Sequence, residues 1–253
     1  MFKIKTSLII ALVVFLITLV LTVPNSYLLS KFSAQVSTLP FSITNTQGHI
    51  SNGSGEINYQ GITGKISWKL NSRSMFIGKL KGHVKIEILD STVTADIKIG
   101  LNTMELYNLN GQLSYLTINE LGKSQRLKVD GDVSIQNFAI KISQSSSKND
   151  EGVKVVVKTL ENLEGRIIYT GGDVIHPAMG NLNVPRIIVK TEILEDKWKV
   201  KINDENDNLL SDIDFYSDGL IYVQGYKTLS PIINKQFGGT DPIIIQNHVF
   251  PTF

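Results

Sequence analysis

The sequence has no cysteine. That excludes disulfides, thiolate metal sites, a cysteine nucleophile and a lipoprotein attachment point, though it identifies no compartment. Neither sign of charge dominates: 25 basic and 23 acidic residues leave a net charge of +2, spread along 253 residues. Without a basic block or an aromatic-plus-arginine platform, nucleic-acid binding has no support. The four histidines (His49, His83, His176, His248) lie far apart and share no ligand spacing. The chain also lacks a G-x-S-x-G elbow, an H-E-x-x-H pair, a P-loop and a usable G-x-G-x-x-G. No catalytic, cofactor-binding or metal-binding residue is assigned, and the chain reads as a non-enzyme.

Three features resemble chemistry and are better read as structure. Gly53-Ser54-Gly55 sets a serine between glycines, as a turn does. Asp204, Asn206 and Asn208 alternate as in a calcium loop, but Leu209 stands where that loop needs glycine and Phe215 where it needs the closing glutamate. A solvated turn is the expectation. Asp212 and Asp214 share one side of a strand and read as a charged outer face.

One long hydrophobic run is present. Ser7 to Val23 reads SLIIALVVFLITLVLTV, with no charge between Lys5 and Lys31. As a helix it spans about 26 Å, and Pro24–Leu29 extend it to bilayer thickness. Lys3 and Lys5 precede it, which keeps the N-terminus cytoplasmic and exports the rest. The rival is a cleavable signal peptide, with a shorter apolar region and a better small-x-small site than the one around Ser33-Ala34. Either way, residues after about 30 lie outside the cytoplasm. The expected layout is a cytoplasmic start (1–6), a membrane anchor (7–29), a connecting region (30–46), one periplasmic β domain (47–240) and a tail (241–253).

The domain is all-β because the period is two. Ile66, Trp68 and Leu70 alternate with polar residues. So do Val84–Leu89 and Val93–Ile99, a hairpin with one apolar and one charged face. Glycines recur from Gly48 to Gly82 where turns and bulges need them. Further strands are expected over 127–135, 138–142, 153–158 and 166–169. Hairpins are expected across Glu195–Lys197 and Ser217–Gly219. Asn110-Gly111 and Leu160–Gly165 read as turns, Gln144–Gly152 as an exposed loop, and 173–185 as an irregular crossing or edge. A short helix starts at Ser230-Pro231, and the tail adds an edge strand or stays loose. The sum is an elongated, curved antiparallel meander. Its greasy face must fold on itself, meet a partner or hold lipid. Trp68 and Trp198, with Val84, Ile86 and Ile88, are the candidate partner or lipid contacts.

The Leu39-Pro40 lead-in, the G-x-x-x-x-G element at Gly48–Gly53, the I-S-W-K-L and F-I-G-K-L pair between Ile66 and Leu80, and Gly225-Tyr226 with Ser230-Pro231 resemble the N component of the bacterial type II secretion pathway. Where that family carries an aromatic, this chain has Ser51-Asn52. The resemblance implies a non-catalytic subunit anchored in the inner membrane and contacting other envelope proteins. At the level of fold the pattern is also similar to AsmA-like and lipopolysaccharide-bridge proteins, which implies lipid carried along a hydrophobic groove. An apolar face left open favours lipid; a closed, filled sandwich favours scaffolding.

Overall fold

The alternation becomes a single long sheet. The computed structural model describes residues 42–49, 51–71, 74, 79–100, 102–148, 154–194, 197–216, 220–233 and 241–249. The anchor and its signal-peptide alternative, the connecting region up to residue 41, and residues 234–240 lie outside the described residues. Among those described, no helix is long and apolar enough to cross a membrane.

The first strands are β1 (Ser42–His49), β2 (Asn52–Tyr59), β3 (Ile62–Leu70), β4 (Leu80–Ile88), β5 (Ser91–Ile99) and β6 (Thr103–Leu113). Helix α1 (Tyr115–Leu121) and a 3-10 turn (Lys123–Gln125) lead to β7 (Lys128–Val129), β8 (Val133–Lys148) and β9 (Lys154–Tyr169). Next come β10 (Gly172–His176), β11 (Gly180–Val184), β12 (Ile187–Ile193), β13 (Lys197–Asp204), β14 (Leu209–Tyr216) and β15 (Leu220–Gly225). A 3-10 turn (Lys227–Leu229), helix α2 (Ser230–Ile233) and β16 (Ile243–Val249) complete the described chain. Thirteen strands form one antiparallel sheet in the order β1-β2-β3-β4-β5-β6-β8-β9-β12-β13-β14-β15-β16, and β11-β10-β7 form a second, short one.

The hairpins expected across 195–197 and 217–219 form, with Ile193 opposite Trp198 and Phe215 opposite Ile221. The β4–β5 hairpin forms too, its turn being Leu89-Asp90. The tail supplies the edge strand β16. Ser42–Thr46, expected as connection, already belong to edge strand β1.

Several expected turns are strand instead. Asn110-Gly111 lies inside β6, because the irregularity there is a bulge. Asn108 takes φ +50° in β6, Asn137 takes φ +48° in β8, and Asn137 N donates to Asn110 Oδ1 at 2.9 Å. Asparagine tolerates the left-handed region, so two neighbouring strands bulge at one level without ending. Leu160–Gly165 likewise runs through β9. A Cβ on Gly165 would come within 2.5 Å of Phe138 Cα, so this glycine serves close strand approach and not a turn. Gln144–Lys148, expected within an exposed loop, instead extend β8 and pair with Lys154–Lys158. Residues 173–185 are an ordered hairpin, β10 with β11, because Pro177 falls at its turn.

Seven described apolar residues are buried: Ile57, Ala95, Val129, Ile168, Leu182, Ile188 and Leu210. Six of them, all but Ala95, gather toward one end of the strands, here called the upper end, which carries the Gln60-Gly61 and Leu89-Asp90 turns. There the short sheet and both helices collect. Asn119 of α1 brackets β7, donating to Val129 O at 2.9 Å and accepting from Val129 N at 2.7 Å. α2 lies beside β11. Elsewhere the extensive contacts run between neighbouring strands, as in a single layer.

Candidate functional site

Cross-strand register puts residues of one parity on one face. The row Gly55, Ile66, Ile86, Val93, Gly111, Ile135, Ile167, Val189, Ile202, Ser211, Gly225 crosses eleven strands from β2 to β15, each residue opposite the next. No charged residue occurs in it. The adjacent row on the other face begins Glu56, Lys65, Glu87, Thr92, Gln112, Ser134. Over β2–β8 the sheet therefore has an apolar face and a charged face; beyond β8 the second row runs through buried Ile168, Ile188 and Asn203.

Each candidate contact lies on the apolar face. Trp68 sits opposite Val84, Ile66 opposite Ile86, and Gly64 opposite Ile88. Trp198 is on the same face between Ile193 and Phe215. It is seven strand spacings from Trp68, roughly 34 Å along the sheet. The structure groups Trp68 with Val84, Ile86 and Ile88 and sets Trp198 in a separate patch. All five are half-buried, as an uncovered sheet face requires. Along the lower rim Ile99, Met104, Ile142 and Ile193 are exposed. Ile99 and Ile142 both lie opposite Met104.

Glycines on this face draw the strands together. A Cβ on Gly64 would meet Glu87 O at 2.7 Å, and one on Gly82 would meet Lys69 O at 2.7 Å. The backbones approach more closely on the apolar side than a side chain would permit. Taking strand spacing and about five residues per strand, the face measures roughly 48 Å by 17 Å. That exceeds the largest apolar patch of an ordinary soluble monomer.

The charged face neutralises itself. Lys85 Nζ lies 2.6 Å from Glu87 Oε1, Lys98 Nζ 2.7 Å from Glu105 Oε2, and His83 Nδ1 3.0 Å from Asp96 Oδ1. Its shallow depression over β1–β4, lined in part by Lys65, Ser67, Lys85 and Glu87, pairs no nucleophile with a base. Among the described residues no cluster of three acidic or histidine side chains is placed to hold a metal. The Asn203–Asn208 run is the β13–β14 turn. There Asp204 Oδ1 accepts from Asn206 N at 2.9 Å and from Asn208 N at 2.8 Å.

Asp212 and Asp214 require a correction. They lie on the charged face but are each only 2% exposed. Asp214 Oδ2 accepts from Lys197 Nζ at 2.8 Å. Asp212 Oδ2 accepts from Lys199 Nζ at 2.8 Å and from Tyr226 OH at 3.3 Å. Lys199 Nζ also stands 3.4 Å from Asp214 Oδ1. Alternation showed that the two carboxylates share a side. It did not show that Tyr226, in the β15–α2 connection, reaches Asp212, or that Lys197 and Lys199 pair with the two buried carboxylates. The hydrogen bond to Asp214 holds Lys197 well above the ordinary lysine value. Burial works to lower Lys199, but Asp212 and Asp214 outweigh it and the net direction is upward. Both lysines stay protonated and paired, so neither offers a base or a nucleophile. The ladder joins β13 to β14; it is not a reaction centre.

No family model, curated protein or solved structure matches the chain.

Proposed function

We propose that this protein is a non-catalytic, membrane-anchored envelope protein that holds lipid acyl chains on the apolar face of its long sheet. One observation carries the reading: the central row of that face is uncharged across eleven strands, and its apolar side chains, from Ile66 to Ile202, are half-buried and not buried. A sandwich would have spent the same side chains on a buried core. An acyl chain needs only apolar area, and the central row of this face offers it without a charged group to strip of water. Anchoring by 7–29 in the inner membrane, with the sheet on the periplasmic side, follows from the hydropathy and flanking lysines.

Site-specific photocrosslinking in intact cells tests this. Probes replace Val84, Ile86 or Ile88 on the apolar face and, separately, Lys85 or Glu87 on the charged face. Phospholipid or lipopolysaccharide adducts confined to the apolar face are expected. A silent apolar face with protein adducts from Lys85 and Glu87 overturns the lipid reading. That result favours a subunit of a type II secretion machine instead.

A further inference from the structure

At the upper end of the sheet, apolar side chains stand where ordinary folding would put polar ones. α1 buries a hydroxyl, Thr117 at 0% exposure, and turns Tyr115 (42%) and Leu116 (48%) outward. That inverts the usual amphipathic helix. Beside it, Leu89 at the β4–β5 turn is 62% exposed and takes φ +51°. Glycine, asparagine or aspartate would occupy that conformation at lower cost.

Hydrogen bonds hold these elements as one tip. Ser91 Oγ donates to Thr117 Oγ1 at 2.7 Å and accepts from Ser114 N at 2.8 Å, while Ser114 Oγ donates to Asp90. Leu89, Tyr115 and Leu116 are thus presented on a fixed platform. We propose that this tip docks onto a lipid bilayer, its three apolar side chains entering the interface.

The path of the chain supplies the occupant. Ser42 pairs with Asn58, next to the Gln60-Gly61 turn, so β1 begins at this same end. Gln60 and Gly61 share a shallow depression with Glu120 and Lys123, which sets α1 near that turn. β1 and β4 are three strand spacings apart, about 14 Å. Residues 30–41 join Ser42 to the anchor ending at Leu29 and reach at most about 40 Å. An anchored chain therefore keeps the tip within reach of the membrane. Charge adds little, because Lys123, Arg126 and Lys128 are offset by Asp90, Glu120, Asp130 and Asp132. The docking is apolar and insensitive to salt. It rests on the membrane-anchored placement proposed above, but not on lipid held by the sheet face.

The lack of native cysteine makes the test direct. Full-length Leu89→Cys and Leu116→Cys, each carrying an environment-sensitive fluorophore, are placed in phosphatidylcholine vesicles with or without nitroxide-labelled lipid. Lys69→Cys, exposed at the lower end, is the aqueous reference, and Ile86→Cys reports the apolar face. Blue-shifted emission at 89 and 116, quenched by the nitroxide and unchanged in high salt, is the expected result. Aqueous, unquenched emission at both positions overturns the proposal even if Ile86→Cys is quenched, and that case leaves the sheet face as the lipid site. Shielding of 89 and 116 that appears only with added envelope protein, and never with lipid nitroxide, also overturns it and assigns the tip to a protein partner.

Discussion

Lys197 Nζ lies 2.8 Å from Asp214 Oδ2, and the carboxylate it neutralises is almost wholly shut away from water. Asp212 and Asp214 each keep a second oxygen, Oδ1, buried without a hydrogen-bond donor. The lysines are therefore the main compensation for two desolvated charges, since Tyr226 adds only one longer hydrogen bond. Lys197→Met leaves Asp214 buried beside one more distant cation. It is expected to cost about 3 kcal/mol, against under about 0.5 kcal/mol for an exposed lysine. Lys197→Met with Asp214→Leu should recover most of the loss, because an apolar pair removes both desolvation penalties. Denaturant midpoints of the three proteins decide it. A single variant indistinguishable from wild type would show that the ladder adds nothing to stability.

The same ladder sets the alkaline limit. Folding raises both lysines above their ordinary value of 10.5: Lys197 chiefly through the Asp214 hydrogen bond, Lys199 against the opposing effect of burial. A raised lysine favours the protonated folded state. Its contribution is complete below 10.5 and disappears as pH climbs through the folded values. Stability should stay flat through neutral pH and fall only above about 10.5, with a smaller fall in Asp214→Asn. Unfolding measured on either side of that pH checks the sign. A decline beginning near neutrality would contradict it.

How much of this could be read from the sequence varies along the chain. Ile66-Trp68-Leu70 and Val84-Ile86-Ile88 announced their face because a side chain every second residue admits one geometry. Asn110-Gly111 and Leu160–Gly165 misled because the residues that make turns also make bulges. Which one forms depends on the partner strand, as the Asn137-Phe138 bulge facing Gly165 shows. The β10–β11 hairpin was hidden by Pro177 and Gly180, which sit at its turn and first residue. Asp212 and Asp214 were placed on the correct side and given the wrong exposure. Tyr226, just past the end of the next strand, reaches back to Asp212, and no local pattern encodes that.

Asp96 offers a test at low pH. Asn108 Nδ2 donates to its Oδ2 at 2.9 Å and His83 Nδ1 lies 3.0 Å from its Oδ1; these contacts, Asn108 first, hold the carboxyl below its ordinary 3.8. A depressed carboxylate contributes stability that is present above 3.8 and lost as pH falls through the folded value. Asn108→Ala should move the Asp96 titration back toward 3.8, followed by carboxyl NMR shifts. His83→Ala should move it less. The reverse order would mean that the imidazole, and not the bulge asparagine, dominates.

Leu89 separates folding from membrane docking. At φ +51° its Cβ crowds the following carbonyl, and its side chain, 62% exposed, recovers little by burial. Leu89→Gly should therefore stabilise the fold by about 1 kcal/mol, after allowing for the greater freedom of glycine in the unfolded chain. The same substitution removes the most exposed apolar group of the tip, so nitroxide quenching of a fluorophore at Leu116→Cys should weaken. Denaturation and quenching would then move in opposite directions in one variant. That is the signature of a residue kept for contact at a cost to stability. Greater stability with quenching intact would reduce Leu89 to a strained turn and leave Tyr115 and Leu116 to carry the contact.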